Sequence, residues 1–191
     1  MSSSALLRGA RDARGLSQRA LARVSDVPQP RIAEIETGRH DTTVSRLEEL
    51  LVCLGHRVTI LPTTARPVWE AGLAVADALA RGDESAAWRE VIQLSDDLAG
   101  AEPAVRVALC VAEPPNVGDA RYEALLAALV DHWLTRDRLP RPAWVREPSR
   151  TVSPAWDVEP IAELRAAARA ATPAAIARHG VYLAASELSS V

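Results

Sequence analysis

Residues 16–38 read LSQRALARVSDVPQPRIAEIETG. The Ser17 hydroxyl is placed to cap a helix by accepting a bond from an orphan backbone N–H of the first turn. Ala20, Leu21 and Val24 recur at helical spacing and give that helix an apolar face. The run Ser25-Asp26-Val27-Pro28 ends it, since Pro28 has no N–H and disfavours helical geometry at Val27. Pro30 then falls in the first turn of a second helix, where a missing N–H costs little. In that helix Ile32 and Ile35 face inward, while Gln29, Arg31 and Glu34 point outward. Gly38 closes it as a left-handed C-terminal residue.

Two short helices about a tight turn have the layout of a helix-turn-helix, whose second helix enters the DNA major groove. The pattern extends outward through Arg11, Gly15-Leu16-Ser17-Gln18, Leu21-Ala22, Val27, Ile32, Ile35-Glu36, Gly38-Arg39, Leu47, Leu50 and Leu54-Gly55. Over residues 6–61 the chain thereby resembles the Cro/phage-repressor class, the XRE family of lambda-repressor-like helix-turn-helix domains. The resemblance covers the first third of the chain and implies roles by position. Gln18 would touch a phosphate, or a base at the site edge. Gln29, Pro30, Arg31 and Glu34 would face base edges, where Gln prefers adenine, Arg guanine, and Glu accepts from cytosine. Arg39, His40 and Arg46 would meet the DNA backbone. Arg11 and Glu36 match a pair that ties the first helix to the recognition helix. The chain departs from the pattern twice. Pro28 stands where Ser, Thr or Asp commonly caps, and Pro30 replaces a polar residue that often reads a base.

Charge tempers this reading. The first 62 residues hold nine Arg and seven acids, a net +2. The remainder holds thirteen Arg and eighteen acids, a net −5. A weakly basic domain must concentrate its cations on one face, and Arg31, Arg39 and Arg46 could do so. Modest nonspecific affinity and a need for a dimer follow.

Thr43 should cap a helix over 44–54 that ends at Gly55. Arg57, Val58, Thr59, Ile60 and Leu61 then alternate between apolar and polar side chains, a short strand bounded by Gly and Pro. No second strand is visible nearby. The economical partner is the same strand of a second copy across a two-fold axis, giving a homodimer. Such a strand resembles those of some antitoxin members of the family.

The chain is expected to be mainly α. A DNA-binding domain over 1–62 is followed, after a short linker, by an all-α domain over 67–191. Helices are predicted over 68–81, 84–98, 103–112, 119–136, 161–170 and 173–179. The helix over 119–136 has the clearest apolar stripe. Residues 139–160 carry five prolines with Trp144 and Trp156, too aromatic for a disordered linker and too proline-rich for a helix. An ordered loop is expected there. Two readings of its tryptophans stand: they anchor a partner protein, or they bury against the helices.

Several functions lack support. The four His show no metal-ligand spacing, and Asp131-His132 diverge on a helix. No phosphate-cradling Gly loop or nucleophile elbow occurs. Neither catalysis, a metal nor a cofactor is called for. Cys53 and Cys110 sit in apolar helical patterns and read as buried free thiols. No apolar run reaches membrane-spanning length and residues 1–4 lack a secretory core, so a cytoplasmic protein is expected. The function that results is a sequence-specific repressor binding operator DNA. Its finer form is an antitoxin that represses its own operon and neutralises a toxin protein. The alternative is a stand-alone repressor whose helical domain senses a small ligand, in a pocket lined by Trp88, Tyr122 and Trp133, or only oligomerises.

Overall fold

Ser17 Oγ accepts from the Ala20 N–H and Thr43 Oγ1 from the Arg46 N–H, so both helix starts are capped by the side chains expected. They belong to a computed structural model that describes residues 3–188, the side chain of Ala5 excepted. Met1 and Ser2, half of the stretch read for a secretory leader, lie outside these residues. The chain divides into two compact units with the boundary between Pro62 and Thr63.

The first unit is four helices: α1 (Ser3–Ala13), α2 (Gln18–Ser25), α3 (Gln29–Glu36) and α4 (Val44–Cys53). Leu7, Leu21, Val27, Ile32, Ile35, Leu47, Leu50 and Leu54 form its core. The chain reverses at Asp26, which takes the left-handed conformation (φ 54°) between α2 and α3. That reversal hands the next inward position to Val27, and Val24 is left 59% exposed instead of joining the apolar face. Pro28 precedes α3 without a side-chain cap. Cys53 is also exposed, contrary to the expectation of a buried thiol. It sits on the outer side of α4, whose inner side is Leu47, Leu50 and Leu51.

Arg57, Val58, Thr59, Ile60 and Leu61 form no strand in the single chain. Among the described residues no ladder partner lies beside them, and alternation alone cannot fix a strand. The side chains that were to alternate in and out are mostly exposed, with Ile60 at 93%.

The second unit is built around one helix. Its elements are α5 (Val68–Ala80), α6 (Glu84–Gly100), α7 (Pro103–Cys110), α8 (Ala120–Arg136), α9 (Ala162–Ala171) and α10 (Ala174–Ala177). Asp83 and Asp119 cap α6 and α8 through their carboxylates. Helix α8 is buried on nearly every side, from Tyr122 to Leu134, with α5, α6, α7 and α10 packed on it. An apolar stripe alone would have left one face in water. Here the remaining face is covered by residues 139–188 folding back, which is why Glu123 and Asp131 are buried on it.

The proline-rich segment is ordered, as short 3-10 turns at Ala143–Arg146 and Pro148–Arg150. Beyond them β1 (Trp156–Asp157) pairs in parallel with β2 (Val181–Tyr182), Trp156 opposite Val181 and Asp157 opposite Tyr182. The strand at Trp156–Asp157 and its pairing are additions to the helical unit expected, whereas residues 181–183 read as a brief extended stretch in the sequence. Gly180 enters β2 at φ 73° with the Val152 carbonyl where a Cβ would sit, so a side chain is excluded there.

Candidate nucleic-acid interface

The candidate interface is built from a carboxylate outward. Glu36, at the C-terminal end of α3, is only 2% exposed. A buried carboxylate is costly unless it is paired and hydrogen-bonded. Helix α1 supplies the pairing. Arg11 donates Nε to Oε1 at 2.7 Å and Nη2 to Oε2 at 2.9 Å, a bidentate fork. It also donates to the Leu16 carbonyl at 2.7 Å, holding the loop before α2. The bonds to Glu36 raise the Arg11 guanidinium further above its already high range, against a smaller opposing effect of burial. Arg8, one turn earlier on α1, donates to the Glu36 backbone carbonyl at 2.6 Å and closes the end of α3.

From Glu36 the network runs through α2 back to the first residue of α3. Gln18 Nε2 donates to Glu36 Oε2 at 3.0 Å, and Gln29 Nε2 donates to Gln18 Oε1 at 2.9 Å. The order is forced, because an ionised carboxylate only accepts. Gln18 must turn its NH2 to Glu36, and so presents its oxygen to Gln29. Gln29 then keeps Oε1 and one N–H unspent, the acceptor and donor that an adenine edge requires. Gln18 thus links Glu36 to Gln29 and still keeps one amide N–H unspent.

The other predicted contacts are placed as follows. Pro30 and Glu34 are exposed, and Arg31 is half-exposed. Arg31 Nη1 lies 3.1 Å from Glu34 Oε2, one turn along α3. Pairs this exposed are worth at most about 1 kcal/mol, so a base edge can take either partner at low cost. Arg39 and His40 are exposed in the loop after α3. Arg46 is exposed in the first turn of α4 and pairs with Glu49 at 2.6 Å. Arg14, Arg19 and Arg23 are further exposed cations of this unit that the sequence reading passed over. Arg8 was missed too, although it lies one helical turn from Arg11 on α1.

Trp144 and Trp156 lie in the second unit and are differently used. Trp144 is 5% exposed, with Nε1 donating to the Cys110 carbonyl at 3.0 Å, so its ring is not available as an anchor. Trp156 is half-buried, its ring 5.7 Å from that of Tyr122 and beneath the Arg121 guanidinium. The ligand-pocket residues are likewise spent on packing. Tyr122 and Trp133 are in the core, and Trp133 Nε1 donates to Ser95 Oγ at 2.9 Å.

The ion pairs of two buried arginines in the second unit were invisible in the sequence. Arg150, from the proline-rich segment, reaches Glu123 on α8 and Glu113, and donates to the Pro114 carbonyl. Arg106 pairs with Asp137 and donates to the carbonyls of Ala99 and Ala101. Both are contacts between distant segments. No helix among the described residues is long and apolar enough to cross a membrane, and they contain no cluster with metal-ligand character.

Residues 7–58 match the family model described as helix-turn-helix. No curated protein and no solved structure matches the chain.

Proposed function

From the membership of residues 7–58 in the XRE-type helix-turn-helix family of DNA-binding regulators, we propose that this protein is a sequence-specific repressor of operator DNA. The observation that carries the reading is the chain Arg11–Glu36–Gln18–Gln29, which aims one unspent amide pair outward from the first turn of α3. Gln29 and Arg31 read bases, with Pro30 and Glu34 beside them, and Arg39 and Arg46 hold the phosphate backbone. A gel-shift and footprinting assay on the upstream region of its own gene tests this. Gln29→Ala with Arg31→Ala should abolish the specific shift while the circular dichroism spectrum stays native. Full affinity and an unchanged footprint in the double variant would overturn the assignment.

The repressor acts as a homodimer. Supporting this are the weak net charge of the first unit and its segment Arg57–Leu61, whose Val58 and Ile60 are exposed apolar side chains. The finer role is that of an antitoxin, the second unit binding a toxin and the first repressing the shared operon. What supports it is the joining of a DNA-binding unit to a separate, acidic helical unit with its own core. Copurification from the native operon tests it. A stoichiometric neighbouring product that is toxic alone is the expected result, and a homodimer free of any partner would overturn it.

A further inference from the structure

Asp131 on α8 is 3% exposed, and three segments converge on its carboxylate. Oδ1 accepts from Arg141 Nη1 at 2.8 Å and from Thr135 Oγ1 at 3.0 Å. Oδ2 accepts from Arg178 Nη2 at 2.8 Å, and His179 Nε2 stands 3.4 Å away. The His179 ring is itself fixed by its Nδ1, which donates to the Arg150 carbonyl at 2.7 Å. Asp131, Arg141, Arg178 and His179 line an open cavity of about 460 Å³, and Arg146 completes its rim.

The charges do not balance. One carboxylate satisfies one guanidinium, yet Arg141, Arg146 and Arg178 all line the same cavity. The Arg146 side chain, exposed at the end of the turn Ala143–Arg146, makes no hydrogen bond or ion pair with the described residues. Arg141 and Arg178 each spend one nitrogen on Asp131 and keep the rest of the fork. A purely structural network would need no third cation and no room beside it. Even without His179, two positive charges are left facing a space of small-molecule size, for which sites of roughly 300–1,000 Å³ are usual.

We propose that this cavity binds a small phosphate monoester, its dianionic phosphoryl group held by Arg141, Arg146 and Arg178. Guanidinium forks match phosphate oxygens in pairs. A dianion cancels the two surplus charges, whereas a monocarboxylate would cancel one. Three guanidiniums, Arg141 and Arg146 from either end of one turn and Arg178 from after α10, suit a tetrahedral group better than a flat one. Asp131 is the positioning residue. It holds Arg141 and Arg178 in place and, being anionic, keeps the phosphoryl group at the outer side of the cluster. The site lies wholly in the second unit, so it stands or falls separately from DNA recognition by the first.

Isothermal titration of the full-length protein with inorganic phosphate and with glycerol 2-phosphate tests the site. One site per chain is expected, with a millimolar or tighter dissociation constant. Tighter binding of the ester places the natural ligand among esters, and preference for inorganic phosphate would overturn that part. Arg146 holds nothing in the fold, so Arg146→Ala should leave the melting temperature unchanged and weaken binding about tenfold or more. Arg146→Lys should fall between the two. The site is overturned if neither probe binds, or if Arg146→Ala binds both as well as the natural chain. It is overturned equally if Arg146→Ala weakens binding of operator DNA or a protein partner while neither phosphate binds.

Discussion

The two thiols show how position within one helical pattern changes chemistry. Cys110 is fully buried at the end of α7, and burial pushes its thiol up to about 12, partly opposed by the nearby Arg106. A thiol held there carries almost no thiolate at neutral pH and reacts slowly. Cys53 is exposed on the outer side of α4. Native protein treated with a thiol reagent at pH 7.5 should therefore label at Cys53 alone, with Cys110 labelled only in denaturant. Rapid native labelling of both would show that α7 does not stay packed. Glu36 makes the complementary case for a buried charge. Glu36→Ala leaves Arg11 with half its bonds and unties Gln18 from Gln29. A loss of about 3–5 kcal/mol is expected from equilibrium urea unfolding, the cost typical of stripping one partner from a buried pair. Glu36→Gln retains an acceptor for Gln18 or Arg11 but not for both, and should fall between.

Among the elements, the legible ones were those whose signals are local. Caps at Ser17 and Thr43, the break at Pro28 and the closing Gly38 are each decided within one turn, and α2, α4 and α6 begin where they should. Helix α3 was legible for the same reason. What was not legible depends on chain far away in sequence. Gln18 reads as a DNA contact, and only the fold shows that Glu36 and Gln29 also hold its amide. Asp131 beside His132 suggests nothing until Arg141, Arg178 and His179 fold onto it. Arg57–Leu61 form no strand in the single chain because a strand is defined by its neighbour, not by its alternation, and the neighbour expected is a second copy. The segment's role can still be measured. Deleting Arg57–Leu61 should convert a dimer to monomers in sedimentation velocity, and a persistent dimer would remove strand pairing from the argument. The β2 entrance offers a sharper check. Gly180→Ala must displace the Val152 carbonyl as well as strain a positive φ. It should cost at least about 1–2 kcal/mol in chemical denaturation, since left-handed backbone alone accounts for that much.

Across the whole molecule, acid should act chiefly on the second unit. His132 lies in α8, where burial and then the nearby Arg136 hold its imidazole below the usual 6.5, Asp131 opposing weakly. The unfolded chain takes up this proton first, so stability is complete above about pH 6.5 and falls as pH drops through that value. His132→Gln should flatten the urea midpoint between pH 7 and 5; an unchanged slope would assign it elsewhere. At lower pH the carboxylates follow. Burial alone would raise Asp131, but hydrogen bonds from His179, Arg141, Arg178 and Thr135 overcome it and hold the carboxyl far below its usual range. The Arg121 side chain similarly lowers Asp119. Depressed carboxyls stabilise above the unfolded value near 4, and that stabilisation drains away as pH falls further.

Charge also decides how the molecule can hold DNA. A unit of net +2 joined to one of net −5 gains little from its overall field, so affinity must come from a few placed cations. Each phosphate neutralised contributes about −0.9 to the slope of log K against log salt. Arg39 and Arg46 are exposed, on the loop after α3 and the first turn of α4. If each holds one phosphate, removing both makes the slope shallower by about 2 for one bound protomer and by about 4 for a symmetric pair. Titrating operator DNA with the natural chain and with Arg39→Ala/Arg46→Ala over a range of salt thus measures contacts and stoichiometry together. A change near 4 is expected from a homodimer, with the footprint unaltered because these side chains carry no sequence information. A change near 2 would mean that a single protomer binds. An unchanged slope would remove both arginines from the interface and leave Arg14, Arg19 and Arg23 as the exposed cations to test next.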